Sequence, residues 1–130
     1  MVIDDKFLDS LLAEAAASER KRVAYDMRNG SSDKSQRLMN ALMPETKVAI
    51  HRHRDTSETL VVLRGELVEL IYDDNGKVVE RVVLNPKKGN YMYQIPAGTW
   101  HAVEVIEPTV IFEAKDGAYA PVNAEDILDL

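Results

Sequence analysis

Apolar residues first recur at helical spacing and then break into short runs. Phe7, Leu8, Leu11, Leu12, Ala15 and Ala16 fall three and four apart, with Asp4 and Asp5 before them and Arg20, Lys21 and Arg22 behind. The pattern predicts an amphipathic helix over residues 4–18 that needs a surface to cover. After a polar turn around Gly30, apolar runs fall at 37–42, 46–52, 58–63, 66–72, 78–84, 91–95, 101–106 and 109–114. They are rich in Val, Ile, Leu and Tyr and are punctuated by DDNG, NPKKG, PAGT and EP. Many short strands at even spacing predict a mainly β fold, a closed barrel or jelly roll behind an N-terminal helix, and not a βαβ sheet. Asn75-Gly76 is the clearest hairpin turn, because a tight turn there calls for positive φ angles. One domain over 1–130 is expected, with the β region at about 36–115 and a tail at 116–130.

Composition narrows the function. The chain has 130 residues, 45% of them hydrophobic, enough for one core and not for two. A formal charge of −6 argues against nucleic acid as a partner. With no cysteine, disulfides, thiolate metal sites and cysteine nucleophiles are excluded. Acidic residues at the N-terminus replace the basic start of a signal peptide, and no apolar run reaches the roughly 18 residues of a membrane span. A cytoplasmic protein without membrane contact is therefore expected.

All three histidines lie in two short stretches, HRHRDTSETLVVLRG from His51 and IPAGTWH ending at His101. On a strand His51 and His53 project to one side about 6.5–7 Å apart, a separation that suits two ligands of one metal. Arg52 and Arg54 then belong to a wetter face. Glu58 opens the next strand, where an antiparallel return brings its carboxylate beside the pair.

His51, His53, Glu58 and Gly65 resemble the first cupin motif, and Pro96, Gly98 and His101 the second, with Gly89 upstream. Glu45 stands where the first motif usually opens with Gly, and Val105 where the second often ends in Asn. Together with SERKRVAYDM and the stretch from Asp33 to Gly76, the chain resembles the WbuC-type cupin-fold metalloproteins, named from a gene of bacterial O-antigen clusters. The resemblance implies a conical β-barrel (a double-stranded β-helix or jelly roll) holding one metal ion through His51, His53, Glu58 and His101. Three imidazoles and a carboxylate suit one divalent transition metal, with Fe, Mn, Ni and Zn all open. Four protein ligands on an octahedral ion leave two positions for water, dioxygen or substrate.

Around that site the candidate catalytic residues are Arg37, Tyr25 and Glu113, and the candidate substrate contacts are Arg22, Gln36, Asn40, Tyr91 and Tyr93. A guanidinium at Arg37 or Arg22 is suited to gripping a carboxylate or phosphate. Core packing also accounts for Tyr91 and Tyr93. Alternation from His101 turns Glu104 outward and Trp100 away from the metal, to pack under the helix or at a subunit contact. Glu113 would serve as a general base if it points inward.

Two functions remain open. One is a metal-dependent enzyme on a small polar molecule such as a sugar or sugar nucleotide, of isomerase, epimerase or oxygenase type, linked to surface-polysaccharide synthesis. The other is a non-catalytic module that binds a small ligand with the metal's help. A homodimer would form through exposed strand edges or through Val48 and Ile50 on the outside.

Overall fold

A computed structural model describes residues 1–128. In chain order the elements are α1 (Asp5–Ala17), β1 (Arg22–Asp26), β2 (Ser35–Leu42), β3 (Ile50–His51), β4 (Glu58–Arg64), β5 (Leu67–Tyr72), β6 (Val78–Leu84), β7 (Met92–Ile95), β8 (Trp100–Val105), β9 (Thr109–Asp116) and β10 (Ile127–Leu128). All strand pairing is antiparallel, in two five-stranded sheets ordered β1-β2-β9-β4-β7 and β10-β3-β8-β5-β6. The expected mainly β fold behind an N-terminal helix is therefore present, with one correction: the sheets face each other without closing into a hydrogen-bonded barrel.

The helix follows its pattern. Asp4 caps it by accepting the Phe7 N–H at 3.0 Å, and Leu8, Leu11 and Ala15 are buried. They pack on Met39, Ala41 and Val110, on the outer side of the first sheet. Each buried leucine contributes roughly 2 kcal/mol. Arg64 on β4 pairs with Asp5 and Asp9 and ties the helix down from outside. Because β2 and β9 are covered on both sides, their sequences alternate weakly. Between the sheets, Leu42, Leu60, Val62, Leu67, Leu84, Val105 and Ile111 form the core.

Several expected boundaries move. Of the run 46–52 only Ile50–His51 pairs in a sheet, and the buried Thr46 hydroxyl instead donates to the Lys21 carbonyl at 2.7 Å. The β region begins at β1, a strand absent from the expected runs. The expected tail is also structured: β9 extends to Asp116, and β10 pairs Ile127 with His51. In the β5–β6 turn only Gly76 takes a positive φ (79°), not Asn75, and Asp73 Oδ1 accepts the N–H groups of Asn75 and Lys77 at 2.9 Å.

Candidate metal centre

The two histidine stretches meet across a strand pair. His51 on β3 lies directly opposite His101 on β8, and the Gly98 N–H of the PAGT turn donates to the His53 carbonyl at 2.7 Å. The imidazole centroids are 4.3 Å apart for His51 and His101, 5.1 Å for His51 and His53, and 5.6 Å for His53 and His101. One ring nitrogen of each lies within 4.8 Å of the others, so the three could hold a metal ion. Glu58 comes from the facing sheet. Its Oε2 stands 3.1 Å from His101 Nε2 and 3.8 Å from His53 Nε2.

The surrounding bonds suit these residues to a metal. Nδ1 of His51 contacts the Ala49 carbonyl, and Nδ1 of His101 the Thr99 carbonyl, each at 2.9 Å. A carbonyl only accepts, so the Nδ1 of His51 carries the proton and its Nε2 is left to ligate, while the Nε2 of His101 is the nitrogen that faces Glu58 in the site. Burial lowers the pKa of His51 and brings that of His53 down to about 4, which keeps both rings neutral and ligating near neutrality. Burial pushes Glu58 the opposite way, but the His101 hydrogen bond and the Lys115 ammonium at 3.5 Å overcome it and bring Glu58 to about 2.

The centre lies in a cavity of about 510 Å³ between the sheets. Of the expected contacts, Arg22, Gln36, Asn40 and Glu113 line it. Asn40 donates to Glu113 at 3.3 Å, and burial, with Glu58 nearby, pushes Glu113 up to about 7. Gln36 donates to the Gly117 carbonyl at 3.0 Å.

Four expected residues lie elsewhere. Arg37 and Tyr25 are on the helix side of the first sheet: Arg37 pairs with Asp33 at 3.1 Å, and Tyr25 packs edge-on against Phe7 at 5.2 Å. Strand parity separates Arg37 from the cavity, since on β2 it is Gln36, Leu38 and Asn40 that face it. Tyr91 precedes β7 and is 57% exposed. Tyr93 packs on the core between the sheets and donates to Glu80 at 2.5 Å. Trp100 does point away from the centre, but it lies under Arg52 at 4.3 Å and donates to Asp74 at 3.0 Å, far from the helix. Glu104 is outward and pairs with Arg81 at 3.2 Å. Val48, expected outside, lines the cavity.

Other cavity residues were missed in the sequence. Lys115 follows Glu113 by strand alternation, a signal present once the β9 register is known. Glu69 is a carboxylate at an inward position of the apolar strand LVELIY, which was itself a visible signal. It is fully buried, its oxygens have no hydrogen-bond partner, and burial pushes it up to about 9. In this case the folded chain holds a proton that the unfolded chain releases above its ordinary pKa, so ionisation opposes folding as pH rises. From pH 5 to 8, urea melts should show wild type losing stability relative to Glu69→Gln by up to about 1.4 kcal/mol per pH unit. A constant difference between the two proteins would contradict the buried neutral acid.

Tyr119, Val122 and Ile127 were missed because the C-terminal segment looked like a tail. Asp126 holds this segment over the cavity: it accepts from Arg52 at 2.9 Å and Arg54 at 2.6 Å, and its carbonyl accepts the Arg52 N–H. These arginines flank His53, so the wetter strand face serves to anchor the cover. Asp126→Ala should speed hydrogen exchange at the Arg52 amide by about tenfold or more. Unchanged exchange would mean that the β10 ladder alone holds the segment.

A family model described as a domain of unknown function, DUF6016, matches residues 3–84. The chain belongs to this family. The matched region of this DUF6016 member carries His51, His53 and Glu58 and stops before His101. No curated protein matches the sequence. Similar solved structures include the capsular polysaccharide assembling protein CapF from Staphylococcus aureus, at 20% identity and TM-score 0.68 over 87% of this chain and 32% of that one. Oxalate oxidase in complex with the substrate analogue glycolate matches at 13% identity and TM-score 0.64, over 83% of this chain and 57% of that one. Lactobacillus farciminis oxalate decarboxylase matches at 12% identity and TM-score 0.61, over 78% and 30%. These are cupin-fold proteins, and the chain spans about a third of CapF. At such identities the likeness establishes the shared fold. Among the described residues no helix is long and apolar enough to cross a membrane.

Proposed function

We propose that this chain is a metal-dependent enzyme of the WbuC type that moves a proton on a small sugar or sugar nucleotide during surface-polysaccharide assembly. The observation that carries the reading is the placement of Glu113, a carboxyl whose pKa is raised by burial and which accepts from Asn40 at 3.3 Å, in the same cavity as His51, His53, His101 and Glu58. His51, His53, His101 and Glu58 would hold a divalent Fe, Mn, Ni or Zn ion, which would supply Lewis acidity when bound. Glu113 accepts a proton from the carbon beside a substrate carbonyl, whose C–H electron pair moves into the carbonyl system, and returns it either to the same carbon or, as the hydroxyl proton passes from one oxygen to the other, to the adjacent carbon. Asn40 orients that carboxyl. Arg22 and Lys47, which also line the cavity, suit an anionic part of the substrate. The capsular polysaccharide role in the name of CapF supports the sugar theme.

The test is a screen of sugar phosphates and nucleoside diphosphate sugars in deuterated water with each of the four metals. Proton NMR should show deuterium entering one sugar carbon, dependent on metal and lost in Glu113→Gln. Metal-loaded protein that exchanges no proton in any member would contradict the reading.

A further inference from the structure

Glu69 has no task in the scheme above. It lies on the inward face of β5 between Leu67 and Ile71, with Val82 and Val103 as its lateral partners. It is fully buried, and neither carboxyl oxygen has a hydrogen-bond partner, which among the described residues is true of no other buried side chain. Burying an unpaired polar group is costly, and an aliphatic residue would remove that cost. The register places it by the metal centre. Glu69 pairs with Val103 and Ile71 with His101, so Glu69 and His101 are diagonal neighbours on one face, about 7–8 Å apart. Glu69 lines the same cavity as the three histidines.

We propose that Glu69 is a ligand-contacting acid of this cavity, and that the ligand it meets is a small polyhydroxy compound with neighbouring oxygens, one directed at the histidines and the next at Glu69. The diagonal register sets the two side chains beside each other on one face of the cavity, so one ligand with neighbouring oxygens can address both. A protonated carboxyl offers one donor and one acceptor, and a hydroxyl answers both. A carboxylate or phosphate would bring further negative charge beside Glu58 and Glu113 and is better placed against Arg22 and Lys47. The pKa near 9 agrees with a neutral acid. No hydrogen bond fixes the side chain, so a turn toward the ligand breaks none. The inference rests on the sugar-like substrate proposed above and adds the group that would recognise its second oxygen.

The test compares wild type, Glu69→Gln and Glu69→Leu, each loaded with metal and checked by elemental analysis. The protonated-carboxyl stretch missing from the Glu69→Gln infrared spectrum identifies the Glu69 band. The probes are ribose, ribose 5-phosphate, glucose and glucose 6-phosphate. At least one should shift that band and bind Glu69→Leu about tenfold or more weakly than wild type, the loss expected for one buried hydrogen-bonded pair. Glu69→Leu should melt at or above wild type, and Glu69→Met replaces it if it fails to fold. A band that no probe moves, or equal binding by wild type and the aliphatic variant, overturns the proposal. A shifted band without any deuterium exchange supports this contact and rejects the reaction proposed for the site.

Discussion

Alanine at position 65 is expected to destabilise the protein by about 4 kcal/mol or more, among the largest effects of any single methyl group here. Gly65 links β4 to β5 with φ at 98°, and an added Cβ would stand 2.3 Å from the Pro108 carbonyl oxygen and 2.5 Å from Thr109 Oγ1. Both neighbours are fixed. The Thr109 side chain is fully buried and its hydroxyl bonds to the Glu107 and Glu66 carbonyls at 2.7 and 3.1 Å. Thr109 also begins β9, the strand of Glu113 and Lys115, so relief of the clash would disturb the cavity. Urea denaturation of Gly65→Ala measures the loss directly. A change below about 1 kcal/mol would mean that the β4–β5 and β8–β9 turns yield where they meet.

The second large effect is electrostatic. Glu58→Gln keeps the shape of a buried side chain but removes the charge that faces His101, His53 and Lys115. Metal affinity should fall by about 100-fold or more, since even partners one step removed from a metal are worth about 10–100-fold. Competition against a chromophoric chelator reads this number. The metal-free variant should also melt lower, because Lys115 is largely buried and would keep only Glu113, 4.0 Å away, as a counter-charge. Wild-type affinity in Glu58→Gln would remove Glu58 from the ligand set and leave the three histidines.

The histidines and Glu58 were legible because short-range rules place them. The two-residue spacing pairs His51 with His53 although β3 ends at His51, turn residues bracket His101, and the short connection to β4 brings Glu58 to the same place from the facing sheet. Helix α1 was legible for the same reason, its apolar stripe being local. Arg37 and Tyr25 were misplaced because parity within β1 and β2 depends on which face the helix covers, a long-range fact. The cover formed by Tyr119, Val122 and Ile127 depends on Asp126 finding Arg52 and Arg54 some seventy residues away, and no local pattern marks it. Glu69 is the instructive miss: a charged residue among inward apolar ones is a local inconsistency, and such conflicts concentrate at functional sites.

Everything proposed for the cavity requires that His51, His53, His101 and Glu58 hold one metal ion. Elemental analysis of untagged protein purified without chelators, beside His53→Ala, tests it most directly. About one transition-metal ion per wild-type chain and almost none in the variant are expected. Equal metal in both, or none in wild type after anaerobic reconstitution with Fe(II), Mn(II), Ni(II) and Zn(II), would contradict it.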